Sequence, residues 1–195
     1  MQPPSRLEWR DLRVFVAHPH DHCAAALLRC LRRLDCRISH AWPPPESLAE
    51  PADLLFCAMD RQVLPLMSSL SGEAQPAIIG VVAGDDADLA KLLATVAPHA
   101  ILQRPFEDSA VVASIIVARA NFGYQRRLLA RVAKLEETLR SMRKVERAKA
   151  ILMETRHLDE SAAYALLRKQ AMSKRVPIGV VASVVIDSNE LLQTD

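Results

Sequence analysis

The 195-residue chain is poor in aromatic residues, which make up 4% of it, and in glycine, of which it has five. With two tryptophans, two tyrosines and four phenylalanines, a core has to be built from leucine, valine, isoleucine and alanine. No Gly-rich loop is present to cradle a phosphate, which excludes the P-loop and dinucleotide-binding classes. No apolar run reaches the roughly eighteen residues that span a bilayer. The start MQPPSRLEWR has no signal-peptide core, so a cytoplasmic protein is expected. Metal-type cysteine spacing is missing too. Cys23, Cys30, Cys36 and Cys57 fall in apolar segments, as reduced, buried thiols do. No hydrolytic or redox constellation emerges, so neither an enzyme nor a cofactor is expected.

What the chain does have is enough apolar material, 50% of its residues, to fold rather than stay disordered. Short apolar runs predict buried strands at Val14–Ala17, Leu55–Ala58, Ala77–Ala83 and Ala100–Gln103, with a weaker one near Cys36–Trp42. Between them, Asp21–Leu34 has helical spacing, with Ala24, Leu27, Leu28, Leu31 and Leu34 on one face. DDADLAKLLATV opens on acids, as helix starts favour, and EDSAVVASIIVARA does the same. Strands alternating with helices predict a parallel sheet covered on both faces, in a flavodoxin-like doubly wound α/β domain. The prolines of WPPPESLAEP predict a rigid loop after the second strand.

From Tyr124 the pattern changes. Leu128, Val132, Leu135, Leu139 and Met142 recur at spacings of four and three. The seam predicts either a short parallel coiled coil that makes a homodimer or an amphipathic helix packed on its own domain, and the absence of breakers favours the first. Beyond it the spacing predicts an all-α region of three helices. The first breaks at His157–Leu158, the second is capped by Asp159 with Ala163, Leu166, Leu167 and Met172 inward, and the third opens at Pro177. Charge follows the same division. Residues 1–123 carry 11 basic and 14 acidic side chains, residues 124–175 carry 14 and 6, and residues 176–195 carry none and 3. A basic block of this kind is either a polyanion-binding segment or a solvated helix face.

The turn after the first strand, HPHDH, holds His18, His20, Asp21 and His22 where ligands gather in doubly wound domains. Three imidazoles could hold a metal. Their i, i+2, i+4 spacing across a proline turn scatters them, and no metal site is expected. A nucleophile–base pair with Cys23 is not supported, because nothing marks a substrate pocket.

The strand order resembles that of response-regulator receiver domains. The resemblance implies acids after the first strand for Mg²⁺, a phosphate-accepting aspartate ending the third, a hydroxyl after the fourth and a lysine before proline after the fifth. Here those positions hold His18 and Pro19, Ala58, Val82 and Arg104, while Asp60 stands two residues past the acceptor position. This is the pattern of a pseudo-receiver with a degenerate phosphorylation site.

The stretch RAKAILMETRHLDESAAYALLRKQAM (Arg147–Met172) resembles the ANTAR domain, the three-helix RNA-binding module of transcription antiterminators. The match rests on Ala148-Lys149, Ile151-Leu152-Met153, Ala163, Leu167 and Ala171-Met172. The whole order of pseudo-receiver (1–122), coiled-coil helix (123–143) and ANTAR bundle (144–195) is similar to the AmiR-type antiterminators of amidase operons, which also lack the phosphorylation residues and carry a proline-rich loop. The resemblance implies a dimer that binds leader-RNA stem-loops and keeps a terminator hairpin from forming in an amidase-like or nitrogen-related catabolic operon. It also implies a ligand-sensing, AmiC-like negative regulator, with no membrane partner. The candidate RNA contacts are Arg143, Lys144, Arg147, Lys149, Arg156, Arg168 and Lys169, with Lys174 and Arg175 beside them, and Lys149 is the first choice. Tyr164, the one aromatic of the bundle, either stacks a loop base or packs inside. Ala148, Ala163 and Ala171 either let RNA approach or let helices pack. Met153, Leu167 and Met172 are candidates on the motif, with the core the expected place for them.

Three rival readings remain at this point: a DNA-binding transcriptional regulator of response-regulator type, a phosphorelay switch, and an adaptor whose basic helices are only solvated surface.

Overall fold

The computed structural model describes residues 9, 11–70, 75–84 and 88–192. The chain divides into two compact units between Arg126 and Arg127.

In the first unit, β1 (Arg13–Ala17), β2 (Arg37–Ala41), β3 (Leu54–Ala58), β4 (Ala77–Val82) and β5 (Ala100–Gln103) form one sheet in the order β2-β1-β3-β4-β5. Every pairing is parallel, which gives the expected flavodoxin-like order. The central strands β3 and β4 are apolar throughout and buried throughout, because helices cover both faces of a parallel sheet. The side-chain period of two sorts the core into two layers. Val14, Val16, Leu54, Phe56, Ile79 and Val81 meet Leu27 and Leu31 of α1 (His22–Arg33) and Val111 and Ile115 further along the chain. On the other face Ala17, Leu55, Cys57 and Ile78 meet Leu66 of α2 (Leu64–Ser69) and Val96 of α3 (Leu89–Val96). Asp85 and Asp86, expected to open α3, lie outside the described residues.

All four cysteines are free. Burial pushes the Cys57 thiol up to about 12 and that of Cys36 up to about 11, so both stay protonated and unreactive.

One helix, α4 (Asp108–Arg156), runs through 49 residues without interruption. The last helix of the sheet domain and the apolar seam are thus one element, since no proline stands between them. His157 then takes a left-handed conformation at φ 55° and ends it. The side chain of Asp159 accepts from the Ala162 N–H at 2.6 Å and starts α5 (Glu160–Lys174). Arg175, also left-handed, ends α5, and α6 (Ile178–Leu192) follows directly after Pro177. In this second unit Val145, Ala148 and Leu152 of α4, Ala163, Leu167 and Ala171 of α5, and Val181, Ala182 and Ile186 of α6 close one core. Gly179 lets α6 approach α4. A Cβ built there would fall on the Ser141 hydroxyl and stand 3.1 Å from the Ser141 Cβ.

Candidate nucleic-acid interface and receiver pocket

Helix burial decides which motif residues can meet RNA. Ala148, Ala163, Leu167 and Ala171 have their side chains inside the bundle core. Of the two alternatives open for the alanines this leaves helix packing, and it puts Leu167 in the core, so the four are withdrawn from the candidate RNA contacts: a side chain with no surface can make no contact with a partner. Met153 and Met172 depart from expectation in the opposite direction. Both are exposed, Met172 by 70%, because α5 turns Ala171 inward and carries Met172 to the solvent side. Tyr164 is 46% exposed, so its ring is open to a partner as well as to the helix it stands on.

Lys149, the first-choice contact, is only 8% exposed. Its Nζ donates to Glu160 Oε1 at 2.7 Å and stands 2.9 Å from Glu146 Oε2. Hydrogen bonds to these two carboxylates raise the Lys149 pKa, and Lys149 holds the Glu160 carboxyl below its usual range. An ammonium already shared by two carboxylates is a pin between α4 and the first turn of α5, which corrects its assignment as the leading phosphate contact. Arg147 is exposed but pairs with Glu190 of α6 at 2.7 Å.

The remaining basic residues, Arg143, Lys144, Arg156, Arg168, Lys169, Lys174 and Arg175, all face solvent. None of them forms an ion pair among the described residues. The spacing of α5 places Tyr164, Arg168 and Met172 at i, i+4 and i+8, along one side of the helix, and the exposed Arg175 follows as its left-handed cap. Lys169 lies beside them. This is a stripe in which cations alternate with a ring and a thioether, on a face that makes no core contact. The motif sequence did not reveal the stripe, because only the inward turn of Ala163, Leu167 and Ala171 fixes what is left outside.

The apolar seam is also open. Leu128, Val132, Leu135, Leu139 and Met142 are between 44% and 59% exposed. Among the described residues none of them belongs to the core of its own unit.

At the carboxyl end of the sheet, Ala58 ends β3 and Val82 ends β4, both buried. Asp60 is spent as a cap, accepting from Gln62 N–H at 2.8 Å. Arg104, which follows β5, donates from Nη1 to Asp21 Oδ2 at 3.1 Å, and Asp21 also caps α1 through the Ala24 N–H at 2.8 Å. Partial burial works against ionisation of Asp21, but these hydrogen bonds and the neighbouring His18 and Arg104 hold its carboxyl below the usual range. His18 is wholly buried, and that burial pushes its pKa down. A methyl group cannot accept a phosphoryl group. His18, Pro19 and Ala58 do not fit the hard, oxygen-seeking magnesium ion of a phosphorylated receiver. What stands here is a stiff polar corner, with His40 Nε2 2.8 Å from the His18 carbonyl oxygen and the rings of His20 and His40 edge to face at 4.4 Å.

A receiver-like sheet domain whose last helix runs on into a three-helix bundle defines a two-unit regulatory protein. Among solved structures the fold is similar to that of the response regulator StyR, with a TM-score of 0.50, 13% identity, and 92% of this chain and 99% of that one covered. A response regulator receiver protein from Burkholderia phymatum aligns at a TM-score of 0.45 and 18% identity, over 55% of this chain and 94% of that one. The AmiR N-terminal family matches residues 12–119, and the ANTAR domain family matches residues 133–186. The chain belongs to the AmiR-type ANTAR regulators. It is 25% identical to the aliphatic amidase regulator of Pseudomonas aeruginosa, covering 91% of this chain and 92% of that one. It is 27% identical to the transcriptional regulatory protein PdtaR of Mycobacterium tuberculosis, over 66% of this chain and 62% of that one. Among the described residues no helix is long and apolar enough to cross a membrane.

Proposed function

We propose that this regulator acts by antitermination. Two copies join along the seam Leu128–Met142, and each presents its α5 stripe to a leader-RNA stem-loop, so that a terminator hairpin does not form. The observation that carries this reading is the stripe itself: Arg168 and Lys169 beside Tyr164 and Met172 on the exposed side of α5, with the exposed Arg175 at its cap. Cations there suit phosphates, and an exposed ring suits an unpaired loop base, which A-form duplex does not offer. Arg143, Lys144 and Arg156 of α4 add charge in the same unit. The seam supports a dimer because its apolar side chains recur every three and four residues and remain open to solvent, a state that coiled-coil pairing relieves.

With no carboxylate at position 58, control by phosphorylation has no acceptor to use. We assign control to a ligand-sensing negative regulator that docks on the receiver-like unit. The relative from Pseudomonas, named for aliphatic amidase, points to an amide-type catabolic operon as the target. The test is a gel shift with the leader RNA of the neighbouring operon at about 150 mM salt, a concentration at which purely electrostatic binding is already weakened. Binding that is lost when the loop is mutated is the expected result. Equal binding to duplex DNA of the same length would overturn the reading in favour of a DNA-binding regulator.

A further inference from the structure

The seam of α4 requires that apolar side chains meet, but it does not by itself fix which chain they meet or in which direction. It runs from Leu128 to Met142, about two heptads. Val145, which would flank its next turn, is buried in the bundle core instead. So short a seam leaves the choice of partner and direction to the charges beside it. With Leu128, Leu135 and Met142 at d and Val132 and Leu139 at a, Arg131 takes a g position and Glu136 the e position of the following heptad. We propose that Arg131 and Glu136 make the seam select a second copy of this same chain, parallel and in register, through two symmetry-related ion pairs between Arg131 of one copy and Glu136 of the other. The inference rests on the dimer of the proposed function and adds what decides its partner.

Charge complementarity is the first observation. In a parallel coiled coil a g residue faces the e residue of the following heptad on the partner. The seam thus sets Arg131 against Glu136, a cation against a carboxylate, once on each side. The next such pair, Thr138 with Arg143, has one charged member and brings no repulsion. Antiparallel packing that keeps the same apolar layers sets g against g and e against e. It places Arg131 against Thr138 and the carboxylate of Glu136 against the apolar Leu129, and both ion pairs are lost. Availability is the second observation. Arg131 is exposed and forms no ion pair among the described residues. Glu136 is exposed too. Along its own helix it comes no nearer to Arg140 than 3.9 Å, and that guanidinium stands closer to Glu137, at 3.6 Å. Both side chains are therefore open to a partner across the seam. The pairing is also selective. A seam of the same shape with a carboxylate at the g position, or a cation at the e position, would meet this chain with like charges together.

The experiment uses the full chain. Analytical ultracentrifugation gives the dimer dissociation constant of the parent and of two variants, Arg131→Glu and Glu136→Arg. Each variant puts like charges together at both contacts, so each should dimerise about tenfold more weakly than the parent at low salt. The difference should fade towards about 1 M salt. Both positions are exposed, so circular dichroism should show an unchanged helix content. A chain carrying both changes, and an equimolar mixture of the two single variants, bring opposite charges together again. Both should recover the affinity of the parent, the mixture as a heterodimer seen by native mass spectrometry with one copy isotope-labelled. Leu128→Cys should crosslink to itself under mild oxidation, with the parent chain as blank, since parallel pairing in register brings these positions together. Single variants as tight as the parent, no recovery in the mixture, or crosslinking of Leu128→Cys to Leu139→Cys in place of itself would overturn the proposal and leave the dimer standing. A parent chain that stays monomeric would overturn the dimer reading, and this one with it.

Discussion

Leu167→Ala distinguishes a core residue from an RNA contact. Leu167 belongs to the ANTAR motif but is 1% exposed and meets residues of α4 and α6 in the bundle core. Truncating it removes a buried branch and leaves a cavity, at a cost of about 2–5 kcal/mol. A middle value of about 3 kcal/mol is large against a unit of this size, which at roughly 0.05–0.15 kcal/mol per residue is stable by only about 3–10 kcal/mol. With a urea slope of about 1.5 kcal/mol per molar, the midpoint of helix loss should fall by about 2 M. Circular dichroism during a urea titration reads this directly. RNA binding should fall in step with the folded fraction and return when an excluded osmolyte restores folding. Tyr164→Ala should do the reverse. Its stability stays within about 0.5 kcal/mol, as for surface changes, while RNA affinity drops by the roughly 1–3 kcal/mol of one stacked base. Unchanged urea stability together with lost RNA binding in Leu167→Ala would refute the argument, since it would make Leu167 a contact after all.

Arg168→Ala and Lys169→Ala should each lower RNA affinity at constant fold and flatten the plot of log K against log salt by about 0.7–0.9; slopes equal to that of the parent chain would remove them from the interface. Gly179→Ala should cost about 1–3 kcal/mol by overpacking α6 against Ser141, seen as a lowered melting temperature, with Ser141→Ala giving part of it back. His99 supplies a pH dependence: burial lowers its pKa, its Nδ1 accepts the Ile78 N–H at 3.0 Å, and its Nε2 stands 3.1 Å from Gln125 Oε1. The folded ring therefore resists a proton that the unfolded chain takes up, so its contribution is present above about pH 6.5 and is lost as pH falls below that. Denaturant melts between about pH 5 and 8 should show this loss in the parent chain and less of it in His99→Gln.

The sheet was legible residue by residue. A strand such as AIIGVV can be stable only when buried on both faces, and alternation with amphipathic helices leaves few topologies for a parallel sheet. The Asp159 cap was equally local: it stands one residue before α5 and receives the Ala162 N–H. The seam from Leu128 to Met142 could be read because its period is set along one helix and needs no tertiary partner to define it. Substitution of Ala58 for an acceptor carboxylate is likewise a property of the sequence alone.

Tertiary structure decided what each motif residue does. An ammonium at position 149 reads as a phosphate contact until Glu160, from the next helix, is placed 2.7 Å away. The choice between Ala171 and Met172 as the inward residue depends on how far α5 rotates about its axis when Leu167 seats in the core, and a step of one residue along a helix turns the side chain by about 100°. Position along the chain fixes which residues are near one another on an element. Only the packing of elements fixes which side chains lose their water, and that loss separates a covered, paired ammonium from an open cation and a core leucine from a contact.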